Sequence, residues 1–428
     1  MRVTYVTAGA AGMICGSCLR DNALTHELRA LDCDVLLVPV YTPIRTDVEN
    51  ASEQELLFGG ISVYLEQKSG LFRKLPRFLT GWLDRPGIIR RLSAKNSIEV
   101  EAEQLGELTL SMLRGENGNQ RREVKRCISW IRQRARPDLV NLSNLLIAGF
   151  VPALKRELNV PVLVTLQGDD LFLEELTDLH RPRVLAELRR LAGEVDGFIT
   201  FTDFYAARMS ELLEIPREKF HVVTLGIDCS ELSSVNRINR RPPTLGYFGR
   251  IAPEKGFDQV VDAFIRIHGK NKASNAYFKA GGWLGDNKSD FFAAQQTRIE
   301  SAGLKENFEY VGSPDWQGKL DFLASIDVFS LPTASREPKA LPVLEALASG
   351  VPVVQPEHGI FPEVLDKTGG AVLFSPGDSG SLAACLEDLL GNPEKARQLG
   401  QEGREGVNQA CTARHMASQT LDIYRKFL

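Results

Sequence analysis

Glu337-Pro338-Lys339-Ala340-Leu341-Pro342-Val343-Leu344-Glu345 runs on into Ala346-Leu347-Ala348-Ser349-Gly350-Val351-Pro352-Val353-Val354. Pro342 near one end and Gly350 at the other are the proline-first, glycine-last punctuation of a short helix. The valines after Gly350 read as a buried strand. Glu337 then falls in the loop before the helix, and Glu345 about one turn inside it. Between them lies a helix N-terminus, whose unpaired N–H groups and positive dipole end suit a diphosphate. One carboxylate can accept hydrogen bonds from sugar hydroxyls and the other from a ribose diol. Alone, the spacing also fits a surface helix with two solvated glutamates, so the weight falls on its surroundings.

Outward from this stretch, short β-branched runs alternate with helical segments. In the first half they are Arg2-Val3-Thr4-Tyr5-Val6-Thr7, Val35-Leu36-Leu37-Val38-Pro39-Val40, Asp138-Leu139-Val140-Asn141-Leu142, Val162-Leu163-Val164-Thr165-Leu166 and Gly197-Phe198-Ile199-Thr200-Phe201. The second half repeats the habit at 244–248, 276–280, 308–311, 328–331 and 351–354. Strands separated by helices predict βαβ units and parallel sheets. The pattern breaks at a polar, arginine-rich stretch ending in Pro242-Pro243, which reads as a linker. The expectation is an α/β chain of two doubly wound domains facing each other across a ligand cleft. Residues 66–130 depart from the alternation and read as a helical, basic insertion with Phe72, Phe78, Trp82, Arg121, Arg122, Lys125 and Arg126. Such a face suits a membrane surface or an anionic acceptor; the alternative is a solvated face with the aromatics packed inward.

At 428 residues the chain is too long for one core. A net charge of −4 gives no global attraction to nucleic acid or to an anionic bilayer. Seven scattered cysteines read as reduced thiols. No apolar run approaches the roughly 20 residues that span a bilayer. Because the chain enters a strand at Arg2, no signal peptide is expected, and the reading is a cytoplasmic protein, with the inner membrane face as a second location.

Several weaker motifs share an order. The first βα turn, with Gly9 and Gly12, lets backbone approach a ligand but lacks the G-x-G-x-x-G fingerprint, which argues against a dehydrogenase. Cys15-Gly16-Ser17-Cys18 has no second paired ligand cluster, so tight packing is favoured over zinc or redox chemistry. Gly249-Arg250-Ile251-Ala252-Pro253-Glu254-Lys255 presents two cations five positions apart, a guanidinium for bidentate contact and a compact ammonium. Gly281 and Gly282 end a strand where backbone could meet a base or ribose, and His358-Gly359-Ile360-Phe361-Pro362-Glu363 shapes a later loop.

Together these residues resemble the retaining family 4 glycosyltransferases of GT-B fold, most specifically over 249–363. The resemblance implies that Arg250 and Lys255 hold the donor diphosphate. It also implies that Glu337 meets the donor sugar and Glu345 the ribose, with Lys339, Ala340 and Leu341 at the helix mouth. Arg250, Lys255 and Glu337 are the expected catalytic residues. Gly9, Gly12, Gly249, Gly281 and Gly282 line the donor, and Gln167 and Asp169 stand on the acceptor or sugar side. Two positions differ from the family pattern: Lys339-Ala340 stands where Phe-Gly is frequent, and Gln167 where a histidine is. The domains expected are 1–228, 229–410 and a terminal helix at 411–428 returning to the first. No metal is expected, because Asp32-Cys33-Asp34 precedes a strand at the sheet end away from the cleft. No cofactor is expected beyond a nucleotide diphosphate sugar as donor substrate, and the acceptor is a saccharide, lipid or small molecule. The alternatives are a non-catalytic sugar-nucleotide binder and a sugar-nucleotide epimerase of the same fold.

Overall fold

This computed structural model describes residues 1–9, 16–44, 46, 49–53, 67, 102–236, 242–270 and 275–428. Gly12, Cys15, Phe72, Phe78 and Trp82 lie outside the described residues, as does most of the insertion ahead of residue 102. The chain forms two units, Met1–Thr224 with Arg414–Leu428 and Leu225–Ala413.

In the first unit the strands are β1 (Arg2–Thr7), β2 (Asp34–Pro39), β3 (Leu139–Leu142), β4 (Val162–Thr165), β5 (Gly197–Thr200) and β6 (Phe220–Val222). They pair in parallel in the order β2-β1-β3-β4-β5-β6. Every residue of β3, β4 and β5 is buried, which is why these strands read as unbroken apolar runs rather than alternating ones. Helices such as Gly16–Ala30 and Asp203–Leu213 connect them. Asp34 opens β2 and sits 2.6 Å from the Arg2 Nε at the start of β1. The Asp-Cys-Asp stretch therefore stands at the N-terminal edge of this sheet. Part of the sequence-predicted insertion is described and is helical, at Ala102–Leu113 and Arg121–Trp130.

The second unit contains β7 (Thr244–Phe248), β8 (Tyr277–Gly281), β9 (Phe308–Tyr310), β10 (Val328–Phe329), β11 (Val353–Pro356) and β12 (Ala371–Phe374). Their order is β12-β11-β10-β7-β8-β9, all parallel. β7 and β10 are neighbours far apart in sequence, so the winding reverses between them. Loops leaving the C-terminal ends of these two strands flank the switch point, where open α/β sheets take their ligands.

The strand expected at 351–354 begins at Val353, since Pro352 has no N–H to give the ladder. β6 and β12 were not anticipated; both are short edge strands. The helix at Ala413–Lys426 follows an isolated bridge between Ile227 and Thr412. Its residues from Arg414 onward belong to the first unit. Among the described residues no helix is long and apolar enough to cross a membrane, and no disulfide joins the six described cysteines.

Candidate active site

β7 ends in a loop tied back on itself: the buried Tyr247 hydroxyl donates to the Arg250 carbonyl at 2.6 Å. Pro253–Lys255 then forms one short turn closed by Gly256 at φ +71°. A Cβ at Gly256 would lie 1.9 Å from the Pro332 carbonyl oxygen, so only glycine lets this turn sit against the segment after β10. The Ala334 N–H donates to the Glu254 carbonyl at 3.1 Å and adds a second tie. The two loops at the switch point are thus one assembly.

Their contact brings Lys255 to Glu337, with Nζ 2.5 Å from Oε2 and both side chains largely buried. Arg250 is half-exposed and lies 3.5 Å from Glu254. Arg336, next to Glu337, is exposed. His358 Nε2 bonds the Thr333 carbonyl at 3.0 Å, bracing the same loop, and burial pushes the His358 pKa down.

The helix Leu341–Ala348 starts with Pro342 in its first turn, and Ala340 at the N-cap offers no side-chain acceptor. The Val343 and Leu344 N–H groups both donate to the Ala340 carbonyl at 3.0 Å. Leu341 N–H has no intrahelical partner. The helix is apolar and buried almost all round, which fixes it as a core element rather than a surface helix. At its C-terminus the Arg404 guanidinium donates to the Ser349 carbonyl at 2.7 Å and to the Val235 carbonyl at 3.2 Å. A cation there complements the helix dipole, and burial lowers the Arg404 pKa.

Glu345, 8% exposed, is held by a partner that sequence reasoning missed. Lys319 Nζ lies 2.6 Å from its Oε1, and the same ammonium stands 5.5 Å from the ring centroids of Phe248 and Trp316. The available signal was a lysine within the apolar run Lys319-Leu320-Asp321-Phe322-Leu323-Ala324. Each glutamate of the motif is therefore matched to one lysine from another loop or helix.

The strand-end glycines serve close backbone packing. Gly282 adopts φ +118°, and a Cβ there would lie 2.0 Å from the Gly249 carbonyl oxygen. Gly249 N–H in turn donates to the Gly281 carbonyl at 3.0 Å. These contacts draw the ends of β7 and β8 together. Lys339 is half-buried, and Ala340 and Leu341 are buried.

The remaining sequence-predicted residues belong to the first unit. Gly9 follows β1 and packs against the Thr42 carbonyl. Gln167 Nε2 donates to the Ser143 carbonyl at 2.8 Å. Asp169 accepts the N–H groups of Leu145 at 2.6 Å and Gln167 at 3.0 Å. It thereby fastens the loops after β3 and β4, and burial raises its pKa to about 6 against the lowering effect of those bonds. Beside it, Asp170 accepts from the Tyr205 hydroxyl at 2.8 Å and from Arg208 Nε at 2.6 Å.

Residues 229–406 match the family described as "Glycosyl transferases group 1", and residues 101–231 match "Glycosyltransferase Family 4". The chain belongs to the family 4 glycosyltransferases. That family is a retaining one, and its members take their sugar from nucleotide sugars. Among relatives, this glycosyltransferase is 26% identical over 239 residues to the MMP alpha-(1->4)-mannosyltransferase of Mycolicibacterium hassiacum, covering 56% of each chain. It is 26% identical over 302 residues to the glycogen synthase of Mycobacterium tuberculosis strain H37Rv, covering 68% of this chain and 69% of that one. Sucrose-phosphate synthase from Thermosynechococcus elongatus has the same fold, with TM-score 0.71 at 17% identity over 100% of this chain and 99% of the other. Anabaena HepE, solved in complex with UDP-glucose, superposes with TM-score 0.65 at 16% identity over 100% of both chains. The two parallel six-stranded sheets are thus those of the GT-B glycosyltransferases.

Proposed function

We propose that this chain transfers a hexosyl group from a nucleoside diphosphate sugar to an acceptor hydroxyl, retaining the anomeric configuration. The observation that carries the proposal is the Lys255–Glu337 contact at 2.5 Å, made where the loops after β7 and β10 meet beside an uncapped helix start. In this reading the glycosidic bond to the diphosphate breaks as the bond to the acceptor oxygen forms on the same face. The acceptor proton goes to the departing phosphate oxygen. Negative charge grows on the diphosphate, and Lys255, Arg250 and the Leu341 N–H stabilise it more in the transition state than in the ground state. Glu337 orients the donor sugar, and its carboxylate keeps the Lys255 ammonium aimed. Gly9 and Gly12 are assigned to the donor side, and Gln167 and Asp169 to the acceptor side.

The complex of HepE with UDP-glucose makes uridine diphosphate sugars the first donors to try. The names of other relatives, among them the GDP-mannose-dependent monoacylated alpha-(1-6)-phosphatidylinositol monomannoside mannosyltransferase of Corynebacterium glutamicum, add GDP-mannose and lipid acceptors to the search. Exposed Arg121, Arg122, Lys125, Arg132, Arg134 and Arg136 support contact with an anionic bilayer if the acceptor is a lipid. With two cations and a helix mouth serving the diphosphate, turnover is proposed to need no metal, so it persists in excess chelator.

The test is a panel of UDP-, GDP- and ADP-sugars scored by thermal shift, where a ligand at a hundredfold its dissociation constant adds about 2.7 kcal/mol. Nucleotide release is then followed with and without acceptors. Release that depends on an acceptor, with an α-configured product from an α-configured donor, is expected. Binding without release under any acceptor, or donor epimerised without acceptor, would overturn the proposal.

A further inference from the structure

We propose that Lys319 is a positioning residue for nucleotide binding: it holds Oε1 of Glu345 and leaves Oε2 aimed at the ribose diol of the donor. The inference deepens the nucleotide-sugar reading above and rests on it.

Four observations bear on it. The pair is short, 2.6 Å, and both side chains are about 10% exposed. Oε1 is the oxygen engaged, while Oε2 is not among the buried polar atoms left without a partner, so it is not sealed in the interior. The ammonium is flanked by the rings of Phe248, at the end of β7, and Trp316. Both supporting elements are fixed: Asp315 caps the Trp316–Ala324 helix by accepting the Gly318 N–H at 3.0 Å, and Trp316 Nε1 donates to Glu231 at 2.6 Å. The Glu345 helix is held by Arg404.

A buried ion pair is a poor device for stability alone, because desolvation offsets much of its attraction and an apolar pair of similar volume often does as well. Its presence beside the switch point points to use. Without Lys319 the carboxylate loses the contact that fixes its orientation, and with it the aim of the charge-assisted bonds its free oxygen offers a hydroxyl. Because the lysine bonds one oxygen only, it also selects which lone pairs remain for the ligand.

The experiment is isothermal titration of the full chain at pH 8 with UDP, GDP and ADP, and with the 2′-deoxy form of whichever the wild type binds. The variants are Lys319→Met, Lys319→Gln and Lys319→Arg. Wild type and Lys319→Arg should bind the ribonucleotide more tightly than its 2′-deoxy form. Lys319→Met and Lys319→Gln should bind the ribonucleotide about 10- to 100-fold more weakly while their affinity for the 2′-deoxy form stays that of the wild type. Adding Glu345→Gln to either should cost nothing further. In turnover the loss should fall on the donor KM more than on kcat.

A purely structural role predicts equal weakening toward the ribonucleotide and its 2′-deoxy form, or a lowered fraction of binding-competent protein with unchanged affinity; either result overturns the inference. Should Lys319→Met fail to fold, Lys319→Gln, which keeps a donor without the charge, decides the matter by the same criterion. Unchanged affinity in both variants sinks the role of Lys319 and leaves the nucleotide-sugar reading standing. Absence of nucleotide binding by the wild type sinks both.

Discussion

Lys255 and Glu337 neutralise each other across two loops, so substituting either leaves one charge of known sign in a confined place. Lys255→Ala is expected to lower kcat about 10²- to 10³-fold, the cost of losing one preorganised donor to a developing oxyanion. Steady-state kinetics against saturating donor would measure it. Lys255→Arg should restore little, because the guanidinium fork does not fit a site built for a point charge 2.5 Å from a carboxylate. Asp169 offers a pH prediction. Its folded pKa of about 6 lies above the ordinary 3.8 because burial disfavours the charged form. Its contribution to stability is therefore full below about pH 4 and is lost as pH rises through 6. Two pKa units correspond to about 3 kcal/mol. Urea unfolding between pH 4 and 7 should show that decline in the wild type relative to Asp169→Asn, in which it is absent. At this scale the sequence was legible where type and spacing sufficed, as at Glu337 and Glu345. It was ambiguous at Lys319, because a lysine near aromatics reads equally as a solvated helix face.

The helix Leu341–Ala348 is held by its neighbours more than by its own eight residues, too few for stability in isolation. The Pro393–Ala410 helix lies against its C-terminal end: a Cβ at Gly400 would come 2.1 Å from the Gly350 carbonyl oxygen, and one at Gly403 2.5 Å from Leu347 Cδ2. Gly400→Ala must therefore push backbone apart. A loss of about 1–3 kcal/mol is expected, read as a lower denaturation midpoint, with a raised donor KM because Glu345 moves with its helix. Pro342 and Gly350 announced this helix, and the apolar runs announced the central strands. The edge strand β6, Phe220-His221-Val222, carries a histidine at its centre, and β12 is only half-buried, so neither had the long apolar signature of a central strand. Gly400, Gly403 and Gly406 were equally unreadable, since three glycines in a helix lower its intrinsic propensity and only the partner surface explains them.

For the molecule as a whole, residues 414–428 are part of the first unit although they come last in the chain. Tyr424 is fully buried there. It sits close enough to Tyr5 and Arg20 for their charges to bear on its pKa, which burial chiefly raises. Its hydroxyl has no hydrogen-bond partner among the described residues. Tyr424→Ala should cost about 3–5 kcal/mol by leaving a cavity, whereas Tyr424→Phe should be neutral or stabilising, since it removes a buried unpaired hydroxyl. Thermal denaturation of the two variants would separate the outcomes. The return of the tail was suggested by family resemblance alone; no local pattern in 411–428 says which core it completes.

That arrangement governs how relatives can be recombined. A chimera taking its first unit from one enzyme and its second unit from another has two seams, near residues 224 and 413. A graft that exchanges only the first 224 residues would oblige a foreign tail to fill the space around Tyr5 and Arg20. Swapping both pieces together keeps tail and host matched, and offers a direct way to ask whether acceptor preference travels with the first unit.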